Sequence, residues 1–302
     1  MDILLARPRG FCAGVNRAIA IVREALAEHG APVHVLHEIV HNTHVLAELR
    51  ELGAVFVEDL REIPEGGRVI FSAHGVAKSV AAEAAARGLA AIDATCPLVA
   101  KVHRRIIRLH EAGCALLMLG HKGHPEVEGA CGQVDAPVFV LSRPEEVEAL
   151  PIPPDAEVGY VTQTTLSVDD TKALLAALRA RFPRLVEAER TDICYATTNR
   201  QAAVRELAER CDLALIVGSK NSSNSNRLKE AAEARGIPAY LIDDAGDIRP
   251  EWLEGKSKVG ISAGASAPEH LVEGVVAHLQ KISPGKVEEM PGEDESVRFS
   301  TV

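Results

Sequence analysis

The spacing of apolar residues along the chain predicts an alternation of helices and strands. Apolar residues recur at intervals of three and four, as in amphipathic helices, in VNRAIAIVREALAEHG, LVAKVHRRIIRLHEAG and ATTNRQAAVRELAERC. A short apolar run that predicts a strand follows each helix: APVHVLHEIV, CALLMLG and DLALIVG. Each strand then breaks into a polar loop, and the three loops are HNTHVL, HKGHPEVEG and SKNSSNSNRL.

The same order of elements occurs three times. After each polar loop come a second strand (GAVFVED, APVFVLS, PAYLIDD) and a third strand that ends in small polar residues (RVIFSAHGVAKSV, EVGYVTQTTLSVDD, KVGISAGASAPEH). Three triplets of residues repeat with these elements: Cys12, Cys96 and Cys194; His41, His124 and Ser222; His74, Thr164 and Ser266. Their members lie 83 to 90 positions apart at the first step and 98 to 102 at the second. The spacing predicts a threefold internal repeat.

Alternating strands and helices predict an α/β fold with parallel sheets covered by helices. We expect three similar α/β domains, at residues 13–96, at 97–193, and at 1–12 together with 194–283, with a C-terminal tail without clear pattern at 284–302. Ligands of parallel sheets bind beyond the carboxyl ends of the strands. If the copies surround a pseudo-threefold axis, the cysteines and polar loops face one central cleft. The alternative is three unrelated βα units with coincidental spacing.

Composition narrows the class of function. The chain has 302 residues, a net charge of -10 and only 3% aromatic residues, which disfavours nucleic-acid binding. No apolar run approaches the roughly 18 residues of a membrane helix, and the start, MDILLARPRGFC, does not resemble a signal peptide. We therefore expect a cytoplasmic protein that does not enter a membrane.

The six cysteines include no C-x2-C or C-x4-C pair, which argues against zinc ribbons and thioredoxin-like motifs. Cys12, Cys96 and Cys194 each open a predicted helix, where the helix dipole favours the thiolate form. Three such thiolates suit a zinc ion or an iron–sulfur cluster, and a cluster with three protein ligands keeps one iron open to substrate. Buried, inert thiols are the other interpretation, which we keep for Cys114, Cys131 and Cys211.

The polar loops offer groups that bind anions or metals. His41, His74 and His124 follow strands at equivalent places and indicate either metal or phosphate binding. The third copy instead offers hydroxyl, amide and backbone N–H groups, from Ser222, Ser223 and Asn224 with Ser266 nearby. With no Walker motif and no G-x-G-x-x-G, the pattern indicates a small phosphate or diphosphate ester rather than a nucleotide. The alternative for SKNSSNSN is a disordered linker, which the flanking strand and helix disfavour.

Glu126 is the carboxylate nearest in sequence to these histidines. In a closed pocket it would stay protonated and donate protons; in the open it would be an ordinary acid at a helix start. Thr164 and Thr165 would relay a proton or cap the helix at Ser167–Asp170.

Seven motifs from residue 9 to residue 268 carry a resemblance to one family: RGFCAGVNRAI, FSAHGV, DATCPLV, GHKGHPEVEG, QTTLS, SKNSSNSNRL and ASAP. In this order the chain resembles the 4-hydroxy-3-methylbut-2-enyl diphosphate reductase family (LytB/IspH) over nearly its whole length. Two stretches, HNTHVL and ICYATTNRQ, depart from the family pattern without changing a ligand or a proton donor.

The resemblance implies a trefoil of three α/β domains around a [4Fe–4S] cluster held by Cys12, Cys96 and Cys194. It implies a proton donor, Glu126, with Thr164 beside it. The implied substrate-binding residues are His41, His74, His124, Gln163, Thr165, Ser222, Ser223, Asn224 and Ser266.

The implied reaction is the reductive dehydroxylation of (E)-4-hydroxy-3-methylbut-2-enyl diphosphate to isopentenyl and dimethylallyl diphosphate, the last step of the methylerythritol phosphate route to isoprenoids. The iron without a cysteine would bind the substrate hydroxyl, and a ferredoxin or flavodoxin would supply electrons. Two alternatives remain: a non-catalytic protein with a redox-sensing cluster, and a zinc hydrolase that uses the histidines as ligands.

Overall fold

Strands and helices alternate along the chain as the apolar pattern predicts. The computed structural model describes residues 1–292 and 295–301; residues 293, 294 and 302, which belong to the predicted tail, lie outside the described residues. The helices are α1 (Ala13–His29), α2 (Thr43–Glu51), α3 (Lys78–Ala86), α4 (Pro97–Glu111), α5 (Pro125–Cys131), α6 (Val168–Arg181), α7 (Tyr195–Ala208), α8 (Ser223–Glu233) and α9 (Glu269–Ile282). The strands are β1 (Asp2–Leu5), β2 (Val33–Leu36), β3 (Ala54–Val57), β4 (Arg68–Phe71), β5 (Ala90–Asp93), β6 (Ala115–Leu119), β7 (Val138–Leu141), β8 (Val158–Thr162), β9 (Leu185–Val186), β10 (Leu213–Val217), β11 (Ala239–Ile242), β12 (Lys258–Ala263) and β13 (Val287–Glu289).

The strands of the described residues form three parallel sheets. The first sheet has the order β3-β2-β4-β5, the second β7-β6-β8-β9, and the third β11-β10-β12-β1-β13. Apart from β13 the three orders are the same. Each sheet places the second strand at one edge, then the first strand, the third strand, and the strand that leads to a cysteine. This confirms the predicted α/β fold with three parallel sheets and the repeat behind it.

Burial on both faces explains why these strands are apolar runs rather than alternating patterns. All five residues of β8 are buried, and so are all five of β10. In β8, Gly159 lies under α4, where an added Cβ would come 2.7 Å from the Leu109 side chain. Helix α4 turns the buried Val102, Ile106 and Leu109 toward this sheet, which is the face that its period of three and four predicts.

The chain divides into two compact units. Unit 1 comprises Met1–Asn16, Val40–Glu48 and Tyr195–Phe299, and contains the third sheet. Unit 2 comprises Arg17–Ile39, Leu49–Cys194 and the chain from Ser300 onward, and contains the first and second sheets. The three-domain boundaries at residues 12–13, 96–97 and 193–194 stay a prediction.

The segment after Ser283 contains a strand that its sequence pattern does not predict. Strand β13 pairs in parallel with β1, so that Ile3 lies opposite Val287. Backbone hydrogen bonds frame this short ladder, from the Ile3 N–H to the Lys286 carbonyl at 2.8 Å and from the Met290 N–H to the Leu5 carbonyl at 2.9 Å. Part of the predicted tail is therefore an edge strand of the third sheet.

Across the described residues, the helices are all too short or too polar to cross a bilayer.

Two leucines give a matched test of the core. Leu117 in β6 is fully buried, whereas Leu52, directly after α2, is 51% exposed. We expect Leu117→Ala to lower the free energy of unfolding by about 2–5 kcal/mol, because the substitution removes buried apolar surface and leaves a cavity. Leu52→Ala should change it by less than about 0.5 kcal/mol. Chemical unfolding of both variants checks this, and equal losses would contradict the assignment of β6 to the core.

Candidate active site

The three cysteines that lead helices are held in the same way by neighbouring strand ends. Cys96 is the N-cap residue of α4, and Cys12 and Cys194 directly precede α1 and α7. The backbone N–H of each donates at 3.0 to 3.1 Å to a carbonyl just past the third strand of a sheet. The acceptors are Ala265 for Cys12, Ala73 for Cys96 and Thr164 for Cys194. All three are half-buried thiols at the start of a helix, a position suited to a metal ligand.

The other three cysteines have the environment of inert thiols, as expected. Cys114 and Cys211 are buried in apolar clusters, and Cys131 packs against one of them. Burial raises the pKa of Cys131 and of Cys211 to about 11, and that of Cys114 above its usual value. A thiol of this kind stays protonated at neutral pH and is a poor metal ligand.

The register of the strands corrects one predicted equivalence. In each sheet the last residue of the first strand pairs with one residue of the third strand. The third-strand residues of these pairs are Phe71, Thr162 and Ala263, which therefore occupy the same position in the three sheets. The residues three positions further along are His74, Thr165 and Ser266. Thr164 was expected in this triplet, which was wrong: it matches Ala73 and Ala265, the other acceptors of cysteine N–H groups. Because Thr164 and Thr165 are adjacent, the spacing along the sequence alone does not show which of them is the counterpart of His74.

In unit 2, the imidazole rings of His74 and His124 meet edge to face, with centroids 5.7 Å apart and planes at 89°. His124 is the N-cap residue of α5, and its Nδ1 accepts the Glu126 N–H at 3.1 Å. The Nδ1 of His74 lies 3.2 Å from the Ser72 hydroxyl. Because Nδ1 of His124 accepts a hydrogen bond, the neutral ring carries its hydrogen on Nε2 and donates from there. A donor at this place suits a phosphate oxygen.

Glu126 is buried, with 2% of its surface exposed. Its Oε1 accepts the backbone N–H of Thr164 at 2.6 Å and its Oε2 accepts the Thr164 hydroxyl at 3.0 Å. Burial raises the pKa of Glu126 to about 7, although both hydrogen bonds from Thr164 act in the opposite direction. The interpretation of Glu126 as an exposed acid is therefore wrong. Its carboxyl group exchanges a proton near neutral pH, as a general acid must.

Thr164 connects this carboxyl group to a cysteine. Its N–H and hydroxyl hold Glu126, while its carbonyl accepts the Cys194 N–H at 3.1 Å. The neighbouring Gln163 is fully buried: its Oε1 accepts the His121 N–H at 3.1 Å and its Nε2 donates to the Thr165 hydroxyl at 2.9 Å. The short segment after β8 thus joins the carboxyl group, the histidine loop and Cys194 within unit 2.

Asp192 is a residue of this site that sequence reasoning missed. It is 5% exposed, and its Oδ2 accepts from Arg105 Nη1 at 3.1 Å and from the Thr162 N–H at 3.3 Å. Its negative charge adds to the raised pKa of Glu126. The one signal in the sequence is its place two residues before Cys194, which has no counterpart of the same type in the other two copies.

In unit 1, the loop between β10 and α8 is ordered by its own polar side chains. Ser222 is the N-cap residue of α8, and its hydroxyl accepts the Ser225 N–H at 3.3 Å. Ser225 is fully buried, and a Cβ on Gly218 or Gly264 would overlap its hydroxyl. The two glycines therefore let α8 start in close contact with two strand ends. The linker interpretation of SKNSSNSN is wrong, since α8 begins at Ser223, which is half-buried.

The same unit connects the remaining predicted residues of the third copy. Asn224 is 5% exposed; its Oδ1 accepts the Ala265 N–H at 2.8 Å and its Nδ2 donates to the Thr197 hydroxyl at 3.3 Å. The Ser266 hydroxyl donates to the His41 carbonyl at 2.9 Å. Asn224 thus holds the loop that carries Ser266, and Ser266 holds the loop that carries His41. Within each unit taken by itself, the described residues include no group of three His, Cys, Asp or Glu side chains spaced as metal ligands.

Comparisons with known proteins agree with this architecture. A family model described as LytB protein matches residues 3–280. The 4-hydroxy-3-methylbut-2-enyl diphosphate reductase of Bordetella pertussis is 56% identical over 298 residues, which cover 99% of this chain and 92% of the relative. That of Chromobacterium violaceum is 52% identical over 298 residues, covering 99% of this chain and 96% of the relative.

Two solved structures are also similar. The E-1-hydroxy-2-methyl-but-2-enyl-4-diphosphate reductase from Plasmodium falciparum has a TM-score of 0.95 at 36% identity and covers 98% of this chain and 93% of its own. A second structure, of an (E)-4-hydroxy-3-methyl-but-2-enyl diphosphate reductase, has a TM-score of 0.66 at 35% identity and covers 93% of this chain and 99% of its own. Fold, site and relatives together define the class of the protein, an α/β oxidoreductase. The chain belongs to the LytB family.

The raised pKa of Glu126 predicts a pH-dependent stability. An unfolded glutamate titrates near about 4.3, and the folded one near 7. Between these values the folded protein keeps a proton that the unfolded chain has released. Stability from this group is therefore fully present below about pH 4.3 and is lost as the pH rises to about 7, by about 3–4 kcal/mol in all.

Chemical unfolding of the metal-free protein between pH 4.5 and 8 checks this. Compared with the wild type at each pH, Glu126→Gln should lack this contribution to the decline, whereas Glu128→Gln, an exposed acid on the same helix, should keep it. The comparison is made with the wild type because burial lowers the pKa of His103 to about 4, which changes the stability in the opposite direction over the same range. A decline that is the same in Glu126→Gln as in the wild type would show that another group causes it.

Proposed function

We propose that this chain catalyses the reductive dehydroxylation of (E)-4-hydroxy-3-methylbut-2-enyl diphosphate to isopentenyl and dimethylallyl diphosphate, in the cytoplasm, as the last step of the methylerythritol phosphate route. The observation that carries the proposal is the connection from Glu126 through Thr164 to Cys194, which joins a carboxyl group with a pKa of about 7 to a candidate metal ligand. The names of the curated relatives support the choice of substrate.

We infer that the cofactor is a [4Fe–4S] cluster held by Cys12, Cys96 and Cys194. The donor set fits, because the three thiols are half-buried at helix starts and share the same backbone anchor. Such a cluster would supply single electrons and, at an iron that no cysteine ligates, a place for the substrate hydroxyl. A ferredoxin or flavodoxin is the proposed electron donor, since the reaction takes up two electrons one at a time.

The diphosphate is expected to bind at the polar strand ends. Because the chain has a net charge of -10, the groups that bind the diphosphate must be supplied locally. Imidazole N–H, hydroxyl and backbone N–H groups at these strand ends bind phosphate oxygens. Asn224 would act here by holding the loop of Ser266, since both ends of its amide are bonded within the protein. The groups proposed for this wall are His41, His74, His124, Ser222, Ser223, Asn224 and Ser266.

Glu126 is the proposed donor of the proton with which the hydroxyl group leaves as water. The two electrons and a second proton, added to the carbon chain, form the C–H bond of the product. Thr164 fixes both carboxyl oxygens, so the acid is oriented before the substrate binds. Burial raises the pKa of this carboxyl to about 7, so a protonated fraction is present at neutral pH, and burial also excludes competing water. Gln163 and Thr165, which bond to each other, are expected to line the substrate beside this acid.

The test compares the wild type with Glu126→Gln after anaerobic reconstitution with iron and sulfide, by following conversion of the hydroxymethylbutenyl diphosphate with dithionite as reductant. We expect Glu126→Gln to keep the brown colour of the cluster and to lose about 10²–10⁴-fold in turnover, the contribution of a general acid. Glu128→Gln is the matched control and should turn over like the wild type.

Other outcomes separate the alternatives. A brown but inactive wild type would favour a redox sensor. A colourless wild type would show that Cys12, Cys96 and Cys194 do not assemble a cluster. Full activity in Glu126→Gln would move the proton donor to another group.

A further inference from the structure

Arg200 of α7 is a buried arginine whose five N–H groups are all bonded. Its side chain is 1% exposed. Nε donates to the Gly10 carbonyl at 2.9 Å, and Nη2 to the Phe11 carbonyl at 3.3 Å, so both carbonyls directly before Cys12 are bound. Nη1 donates at 3.0 Å to the carbonyl of Ala196 in its own helix. The two remaining N–H groups bind Glu295 of the C-terminal tail at 3.0 Å each.

A second arginine binds the segment before Cys194. Arg105 of α4 is 11% exposed in its side chain, and its Nη1 donates to Asp192 at 3.1 Å, two residues before that cysteine. The same Asp192 oxygen accepts the Thr162 N–H at the end of β8. Arg105 therefore ties the approach to Cys194 to the helix that Cys96 leads.

A third arginine binds the segment before Cys96. Arg17 of α1 donates from Nη1 to the Thr95 carbonyl at 3.0 Å, directly before that cysteine. Its Nε donates at 2.6 Å to the carbonyl of Ser300 in the tail.

These arginines follow one rule. The helix after Cys12 binds the segment before Cys96, the helix after Cys96 binds the segment before Cys194, and the helix after Cys194 binds the segment before Cys12. Each contact lies within a single unit. A planar guanidinium fixes direction as well as distance, because its N–H groups leave in fixed directions. The apolar repeat does not require an arginine at these places.

We propose that Arg17, Arg105 and Arg200 are positioning residues that orient the three cysteine segments, and that the C-terminal tail completes two of these contacts through Ser300 and Glu295. This rests on the proposed function, in which the cysteines hold the cluster. Glu295 forms a bidentate pair with Arg200 and also accepts from Asn199 at 3.0 Å. Without it, a buried guanidinium would keep its charge and lose two of five bonds, so the loop before Cys12 would open more often.

The test measures the alkylation rate of each thiol by iodoacetamide in the metal-free, reduced full-length protein, with mass spectrometry of the cysteine peptides. Arg17→Gln should raise the rate of Cys96 alone, Arg105→Gln that of Cys194, and Glu295→Gln that of Cys12. We expect about tenfold in each case, the change that about 1.4 kcal/mol of local stability produces. Cys114, Cys131 and Cys211 serve as internal references.

Two exposed groups give matched controls, and two conservative variants test direction. Arg104→Gln, next to Arg105, and Glu254→Gln should leave every rate unchanged. Glu295→Asp should keep most of the protection of Cys12, because a carboxylate remains. If Arg105→Gln does not fold, since it leaves Asp192 buried without its cation, Arg105→Lys takes its place and should raise the rate of Cys194 to a smaller extent.

A general loss of structure would give a different pattern. The proposal is overturned if all thiols react faster together in each variant. It is also overturned if Cys96, Cys194 and Cys12 do not respond to Arg17→Gln, Arg105→Gln and Glu295→Gln, respectively. Iron retained per chain after reconstitution is a separate measurement, in which the three variants should lose iron faster than the controls. A wild type that binds no iron would refute the proposed function, while the alkylation pattern would still decide the positioning roles.

Discussion

One hydrogen-bond ladder in each sheet fixes the place of the candidate ligands. In the first sheet, the ladder between β4 and β5 continues past the last strand pair, from the Ala94 N–H to the Phe71 carbonyl and then from the Cys96 N–H to the Ala73 carbonyl. Cys12 and Cys194 make the same additional bond in their own sheets. Each acceptor lies two residues past the third-strand residue that pairs with the end of the first strand, so the three cysteines are held at equivalent positions beyond their sheets. The preceding strands end three, seven and eight positions before Cys96, Cys12 and Cys194, so this shared bond, and not the length of the intervening segment, sets the position of each cysteine.

Helix starts, strand ends and glycines determine which groups lie around the three cysteines. Parallel pairing brings the carboxyl ends of neighbouring strands to one edge, which explains why residues distant in sequence meet there. Glu126, in the first turn of α5, meets Thr164 after β8 because β6 and β8 are neighbours. Local sequence supplies the polar groups, and sheet order decides which of them meet.

Much of the fold was predictable from the sequence, because strands that are buried on both faces appear in the sequence as continuous apolar runs. The site was predictable in its residues but not in their bonds. Thr165 rather than Thr164 matches His74, and only the strand register shows this. The pKa of Glu126 depends on burial by distant segments, and Asp192 and Arg200 carry no local signature. Strand β13 was missed because an edge strand with exposed residues lacks an apolar pattern.

Strand β13 also affects how readily the chain associates with other chains. Strand β1 contains the fully buried Ile3 and Leu4, and β13 covers the side of it that faces away from β12. Without β13, a short apolar strand would present unpaired N–H and C=O groups at the margin of the sheet, which is a template for pairing with another molecule. Pairing with β13 therefore protects this edge of the sheet, and a chain cut by proteolysis before β13 would be prone to self-association.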